Sequence, residues 1–239
     1  MISYYNTIEE IKTDTAIIPV GSIEQHGSHL PTGTDYFIVK KISEEVAKKI
    51  DAYLLPPLPI STCYEHKGKK GSVRMRPSTF ALMLSDIIMD LKDQGFTKII
   101  VMLGHGGTFA AGPIIRELNA NNDGLQIIKI EPVNTEKTRS VIEGAPLNEV
   151  HAGEKETSMM LAICEETVDK EKMLKNDYIP DCPREYLNYS SLLKLSKTGV
   201  WGMQSYATKE KGEKIIEYSV EAIIDYIEDA FKNTEINKW

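Results

Sequence analysis

Four short apolar segments, each the length of a β-strand, alternate with helical segments along this chain of 239 residues. The apolar segments are residues 16–20, 53–58, 98–103 and 125–130. Such alternation with short connections is typical of a mainly parallel sheet that helices cover on both faces. Ligands of such sheets bind beyond the carboxyl ends of the strands, so the residues after each apolar segment are the first candidates for function.

Helical periodicity fills the stretches between these strands. The predicted helices are residues 7–12, 36–50, 77–94, a segment ending near 121, 154–166 and 207–232. No internal repeat, low-complexity tract or linker rich in Pro, Gly and Ser interrupts the pattern. We therefore expect residues 1–239 to form a single α/β domain.

Composition excludes several classes of protein. The formal net charge is −7, whereas a general nucleic-acid binder needs a basic face. No apolar run approaches the ~20 residues that a membrane-spanning helix needs, and the first residues lack the features of a secretory signal. The three cysteines are far apart and form no CxxC pair, so neither a disulfide framework nor a zinc ribbon is indicated. We expect a cytoplasmic protein with no nucleic-acid or membrane partner.

Histidines and carboxylates collect after the predicted strands. Glu24 and His26 are two residues apart, Asp35 opens a predicted helix, and His105 follows another strand. Imidazole and carboxylate ligands suit zinc, manganese or iron(II), and one carboxylate can bridge two metals. The four residues therefore predict a dinuclear metal site. The alternative is that Asp35 is only a helix N-cap and that the others are ordinary loop residues.

A glycine-rich loop surrounds His105. Gly106 and Gly107 follow it and Thr108 comes next, at the start of a helix where a phosphate could bind. The loop lacks the Lys-Ser/Thr of a P-loop and the glycine spacing of a dinucleotide site, so a nucleotide is not favoured. The glycines let the backbone pass close to a metal or a substrate.

A third cluster lies at a predicted helix start, where His151 and Glu154 are three residues apart and Glu156 follows. One of the two carboxylates could complete a second metal site, and the imidazole could act as general acid for a leaving nitrogen. The alternative is a helix start at which acidic residues are favoured by the helix dipole.

Three segments resemble the signature blocks of the creatininase family: residues 19–35 (PVGSIEQHGSHLPTGTD), 103–108 (LGHGGT) and 151–158 (HAGEKETS). Residues 65–80, with a Glu-His pair, and residues 199–214 are weaker matches. The resemblance covers almost the whole chain. It implies a three-layer αβα sandwich, two divalent metal ions per subunit (Zn, Mn or Fe(II)) and a homo-oligomer, typically a hexamer.

The resemblance also implies roles for individual residues. Glu24 and His105 would bind one metal, His26 would bind the other, and Asp35 would bridge the two. His151 matches the catalytic histidine of the family.

One family ligand has no counterpart at its usual place. Creatininase has a glutamate two residues after the Gly-His, where this chain has Gly107. We expect Glu154 to supply the missing ligand, with Glu156 as the alternative.

Departures from the family pattern concern the substrate. Thr108 replaces the usual asparagine, Arg74 stands where a small residue is common, and residues 148–150 lack the tryptophan that creatininase places against creatinine. Creatinine is therefore not the expected substrate. Arg74 and Arg76 would suit a phosphate or carboxylate of the substrate, beside a backbone formed by Gly106, Gly107 and Thr108.

These observations predict a metal-dependent amidohydrolase. It would cleave a non-peptide C–N bond of a small molecule, in a cyclic amide, lactam or formamide, by metal-bound hydroxide, with His151 protonating the leaving nitrogen. An alternative is the hydrolysis of a formamidopyrimidine ribotide in flavin or deazaflavin biosynthesis. An alternative from another class is a non-catalytic binding or assembly subunit, which metal analysis would distinguish.

Overall fold

Five parallel strands form the centre of the computed structural model, which describes residues 1–131 and 135–234. The strands are β1 (Ile2–Ser3), β2 (Thr15–Val20), β3 (Tyr53–Leu54), β4 (Lys98–Leu103) and β5 (Gln126–Ile130). Their order across the sheet is β1-β3-β2-β4-β5. The central pair, β2 and β4, is in register from Thr15 opposite Lys98 to Val20 opposite Leu103. Their carboxyl ends therefore lie side by side.

Helices cover both faces of this sheet. They are α1 (Thr34–Ala47), α2 (Pro77–Asp93), α3 (Ala111–Asn121), α4 (Glu136–Ser140), α5 (Glu154–Cys164), α6 (Lys170–Met173), α7 (Leu192–Leu195) and α8 (Lys209–Asn233). One buried apolar cluster joins the sheet to α1, α5 and α8, and a second joins it to α2 and α3. The result is the expected αβα sandwich.

The period of two along the central strands explains the three layers. Ile17 belongs to the cluster under α1, whereas its neighbour Ile18 belongs to the cluster under α2. In β4, Ile100 faces the first cluster and Ile99 faces the second. All four side chains are fully buried, because a parallel sheet of this kind exposes neither face.

Element boundaries differ from expectation where local chemistry intervenes. The predicted strand 53–58 is a strand only at Tyr53–Leu54, because Pro56 and Pro57 have no N–H to donate. Leu58 then forms a single bridge with Val20. The predicted helix at residues 7–12 is the short 3₁₀ turn Ile8–Glu10.

Close contact between α5 and α8 requires a glycine. A Cβ at Gly212 would overlap the carbonyl oxygen of Ser158, so any side chain there would push the helices apart. No helix in the described ranges, 1–131 and 135–234, has the length and apolar character needed to cross a membrane.

Candidate metal centre

Two glycines place α1 directly over the carboxyl ends of the central strands. A Cβ at Gly21 would lie 2.7 Å from the Cα of Tyr36, and a Cβ at Gly104 would lie 2.7 Å from the Cβ of Val39. The helix can approach this closely only because both positions lack a side chain. As a result Asp35, in the first turn of α1, is buried between the loops that follow β2 and β4.

Asp35 faces two imidazoles with its two oxygens. Its Oδ1 lies 3.3 Å from Nε2 of His26, and its Oδ2 lies 3.4 Å from Nδ1 of His105. The same Nδ1 is 3.1 Å from Oε2 of Glu24. The helix N-cap is Gly33, so the alternative that Asp35 is only an N-cap is wrong. The four residues that the sequence predicts as metal ligands therefore form one cluster.

The donor atoms of this cluster point inward without partners. Oε1 of Glu24, Nε2 of His26 and Oδ2 of Asp35 are buried and have no hydrogen-bond partner among the described residues. Burying such atoms unpaired costs free energy, so an arrangement of this kind fits bound cations. Three groups of described residues converge closely enough to hold a metal ion: Glu24–His26–His151, Glu24–Asp35–His105 and His26–Asp35–Glu156.

Backbone contacts fix which atoms face the cluster. Nδ1 of His26 lies 3.2 Å from the carbonyl oxygen of Glu24, which leaves Nε2 directed toward Asp35. The hydroxyl of Ser22 donates to Oε2 of Glu24 at 2.7 Å. Such contacts set the tautomer and orientation of metal-binding side chains.

Glu154 does not reach the cluster, and the expectation that it completes the second group is corrected. Its fully buried carboxylate accepts hydrogen bonds from the backbone N–H groups of Glu143 and Gly144 and from Nζ of Lys211. Glu156, the alternative, takes that place. Its Oε2 lies 3.9 Å from Nε2 of His26 and accepts a hydrogen bond from the N–H of Ala152.

His151 borders the cluster next to His26, with 4.3 Å between the centroids of the two rings. Its Nε2 lies 2.7 Å from the carbonyl oxygen of Gln25, whereas its Nδ1 is 3.8 Å from Oε1 of Glu24. The backbone is held by a pair of hydrogen bonds between His151 and Trp201. Nδ1 is therefore the nitrogen that is available to the cluster.

The metal-free cluster has strongly perturbed pKa values. Burial alone would lower the pKa of His26, but Asp35 outweighs it and raises that pKa to about 9. The same balance, with Glu24 as the main counter-charge, raises the pKa of His105 well above its usual value. Burial and the nearby His26 hold the pKa of His151 well below its usual value. His151 is thus neutral near pH 7 and has a lone pair on Nδ1.

The sequence reasoning missed two residues, which a 3₁₀ turn at Tyr64–His66 places at the cluster. Nε2 of His66 lies 3.0 Å from Oε1 of Glu24, and Oε1 of Glu65 lies 3.0 Å from Nε2 of His105. The Glu-His pair in the weaker family match was the signal that could have found them.

A cavity of about 80 Å³ opens onto the cluster. Asp35, His105, His151 and Glu156 contribute to its wall. A wider groove of about 990 Å³ adjoins it, and the two share wall residues such as Phe109. A reacting group in the cavity can therefore belong to a molecule that extends into the groove.

The predicted substrate residues divide into two sets. Gly106 and Gly107 line the cavity, as expected. Thr108 does not line it, because its buried hydroxyl donates to the carbonyl oxygen of His105. Arg74 and Arg76 are exposed and lie outside the cavity wall; Arg74 stands over the ring of Tyr64 instead. These three assignments are corrected.

Arg184, in the 3₁₀ turn Arg184–Asn188, provides the positive charge that the sequence reasoning placed elsewhere. It is the one Lys or Arg among the described residues of the cavity wall. Its Nη2 would be 3.6 Å from a Cβ at Gly106, so the guanidinium lies over the His105 loop. The described residues include no carboxylate within ion-pair distance of it.

The fold and the site together define an αβα protein with a buried carboxylate–imidazole cluster beyond the ends of its central strands. The chain belongs to the creatininase family: the family described as creatinine amidohydrolase matches residues 4–227. The predicted family and fold are thereby confirmed.

Known relatives agree with this assignment. The chain is 30% identical to 3-dehydro-scyllo-inosose hydrolase of Thermotoga maritima, a match that covers 90% of this chain and 76% of that protein. It is 27% identical to creatinine amidohydrolase of Pseudomonas putida, with 91% and 90% covered. A solved candidate creatinine amidohydrolase of Bacteroides fragilis superposes with a TM-score of 0.83 at 26% identity, over 96% of each chain. The chain is therefore related to hydrolases that act on more than one substrate.

Proposed function

We propose that this protein is a dinuclear metal-dependent amidohydrolase that cleaves a non-peptide C–N bond of a small molecule. The bond would belong to a cyclic amide, a lactam or a formamide. The observation that carries the proposal is that the two oxygens of Asp35 face two different imidazoles, His26 and His105, at 3.3 and 3.4 Å. One carboxylate shared between two ligand groups is an arrangement that suits a pair of metal ions.

The three convergent groups of side chains support one ligand set. Glu24 and His105 would hold one divalent ion, His26 and Glu156 the other, and Asp35 would bridge both. Imidazole and carboxylate donors accept Zn, Mn or Fe(II). Ions bound there would polarise the carbonyl of the scissile bond and make water more acidic.

His151 would transfer the proton. Nε2 lies against the carbonyl oxygen of Gln25, so proton exchange with the cavity takes place at Nδ1. A neutral imidazole accepts a proton there as the attacking water loses one. The imidazolium then donates that proton to the departing nitrogen, which leaves as an amine.

Arg184 would bind an anionic group of the substrate. A guanidinium at the wall of a cavity whose other charged or titratable side chains are carboxylates and imidazoles suits a substrate carboxylate or phosphate. We expect Arg184→Gln to raise KM for anionic substrates and leave KM for neutral analogues unchanged. Arg74→Gln is the matched control, because Arg74 is an exposed arginine outside the cavity.

A formamidopyrimidine ribotide is the second candidate substrate, as in flavin or deazaflavin biosynthesis. Two observations favour it. The cavity is small enough to suit a formyl group, and the adjoining groove carries Lys67 and Lys194, which could bind a phosphate.

The assembly is also a proposal. We propose that residues 1–239 form one domain and that the protein is a cytoplasmic homo-oligomer, a hexamer by analogy with its family, without a nucleic-acid or membrane partner. Light scattering on the eluted protein tests the oligomeric state.

Metal reconstitution tests the function. The chelator-stripped protein would be loaded anaerobically with Zn, Mn or Fe(II) and screened against formamides, lactams and cyclic ureas. We expect about two ions per chain, as in other paired-metal hydrolases. We also expect turnover that Asp35→Ala abolishes. Protein that binds no metal would instead be a non-catalytic binding or assembly subunit.

A further inference from the structure

We propose that Glu65 is the positioning residue for His105, and that position 107 is a glycine because the Glu65 carboxylate occupies the space of its side chain. This role rests on the metal centre of the proposed function and is independent of the substrate. It assigns a role to a residue outside the three signature blocks of the sequence.

A short turn brings Glu65 to the centre. The turn Tyr64–His66 is tied to the His105 loop by the hydroxyl of Thr62, which donates to the carbonyl oxygen of Gly107 at 2.9 Å. The Glu65 side chain is only 15% exposed, and its Oε1 lies 3.0 Å from Nε2 of His105. An acidic side chain is rarely buried to this extent without a partner that offsets the cost.

The two nitrogens of His105 have separate surroundings. Nδ1 faces Glu24 and Asp35 at 3.1 and 3.4 Å, which makes it the atom for a metal ion. Nε2 is buried and has no aligned hydrogen-bond partner among the described residues, so the nearby Glu65 carboxylate acts on it chiefly through its charge. A carboxylate on the far nitrogen of a metal-binding histidine favours the tautomer that leaves the near nitrogen unprotonated.

Gly107 leaves the space in which this contact forms. A Cβ at position 107 would overlap both Oε1 of Glu65 and Nε2 of His105. Even alanine at position 107 would therefore displace the Glu65 carboxylate and crowd the ring of His105. A side chain at position 107 and the carboxylate of Glu65 are thus mutually exclusive.

The same turn also contacts Glu24, a second candidate ligand. His66 follows Glu65 directly, and its Nε2 lies 3.0 Å from Oε1 of Glu24. Glu65 and His66 thus contact His105 and Glu24, the two residues proposed above to hold one ion. None of the three convergent groups of described residues includes Glu65, so we assign its role to His105 and not to an ion.

The test exchanges the source of the carboxylate. The variants are Glu65→Gln, Glu65→Ala, Gly107→Glu and the double variant Glu65→Ala/Gly107→Glu. Glu44→Gln is the control, since it removes a charge from the surface of α1, the helix that carries Asp35. For each protein, chelator competition gives the affinity for Zn²⁺ and Co²⁺, and the visible spectrum of the Co²⁺ form reports the ligand geometry.

We expect Glu65→Ala and Gly107→Glu each to weaken metal binding by about 10–100-fold, the usual effect of losing a contact to a ligand histidine. Glu65→Gln should fall between them and the unmodified protein. The double variant should recover part of the loss, because it returns one carboxylate to the same space while the new side chain still crowds Nε2 of His105. That coupling would show that the positions share one role.

Two results would overturn the proposal. The first is unchanged Co²⁺ affinity and spectrum in Glu65→Ala. The second is a double variant that binds Zn²⁺ and Co²⁺ no more tightly than the weaker-binding of the two single variants, Glu65→Ala and Gly107→Glu. The melting temperature of each chelator-stripped variant identifies any protein that has failed to fold. If Glu65→Ala is such a protein, Glu65→Gln, which keeps the side-chain volume, takes its place, and unchanged Co²⁺ affinity and spectrum in Glu65→Gln would overturn the proposal.

Discussion

Nζ of Lys211 lies 2.6 Å from Oε1 of Glu154, and this contact joins α8 to the start of α5. Together with two backbone N–H groups, it satisfies a carboxylate that is fully buried. Glu154 therefore stabilises the fold, whereas Glu156, two residues later, faces His26. Two acidic residues in the first turn of one helix thus make different contacts.

Substitution at these two positions should separate those roles. Glu154→Gln should lower the free energy of unfolding by about 1–3 kcal/mol, because a buried hydrogen-bonded charge is lost. Its metal content should not change. Glu156→Gln should lose one ion, whereas the free energy of unfolding of the chelator-stripped protein should change little. Urea denaturation and elemental analysis of both variants measure this, and a loss of metal in Glu154→Gln would contradict it.

The position of Asp35 between His26 and His105 predicts an asymmetry in metal loading. Asp35→Ala should lose both ions, because each ion loses a ligand, whereas Glu24→Ala should lose mainly one. Elemental analysis after dialysis gives the ratio directly. Full metal content and activity in Asp35→Ala would show that the dinuclear assignment is wrong.

Removing the imidazole of His151 should affect turnover and not metal content. We expect His151→Asn to lower turnover by about 10²–10⁴-fold, the usual range for a lost proton donor. The loss should be smaller for substrates whose leaving nitrogen is less basic. If the purified variant lacks one ion, His151 is a ligand, which its place beside Glu24 and His26 would also permit.

The raised pKa of His26 predicts that the stability of the metal-free protein and its affinity for metal change in opposite directions with pH. In the metal-free protein, burial opposes the charge on His26 but Asp35 raises its pKa to about 9. This stabilisation is complete below the unfolded value of 6.5 and is lost as the pH rises through about 9. The melting temperature of the stripped protein should therefore fall over this range. Metal affinity should rise, because the ions no longer compete with protons. His26→Gln should flatten the pH dependence of the melting temperature. A melting temperature of the unmodified protein that does not change over this range would contradict the raised pKa of His26.

The layers of the fold could be predicted because they follow from periodicity. The two long apolar segments at β2 and β4 are strands, with alternate residues such as Ile17 and Ile18 buried on opposite faces. The two-residue strand β1 was not predicted, because Ile2–Ser3 is too short to show a period. It exists only by pairing with β3.

The site was predictable where residues follow a strand end and unpredictable where they arrive from a distant segment. Glu24, His26 and His105 lie directly after β2 and β4, so the order of the sheet brings them together. Glu65 and Arg184 reach the same place through irregular turns whose paths no periodicity records. The choice between Glu154 and Glu156 depended on which side of one helical turn faces Lys211, and spacing alone does not show that.

The backbone pairing of His151 with Trp201 has a consequence for the order of folding. His151 also contacts the carbonyl oxygen of Gln25, 126 residues earlier in the chain. The site is thus closed by segments from both ends of the chain, and such distant contacts are slow to form because long loops must close first. Fragments that end before Trp201 would lack the strap that holds His151. During refolding, high-affinity metal uptake should therefore appear only in the last kinetic phase, after the sheet has acquired its structure.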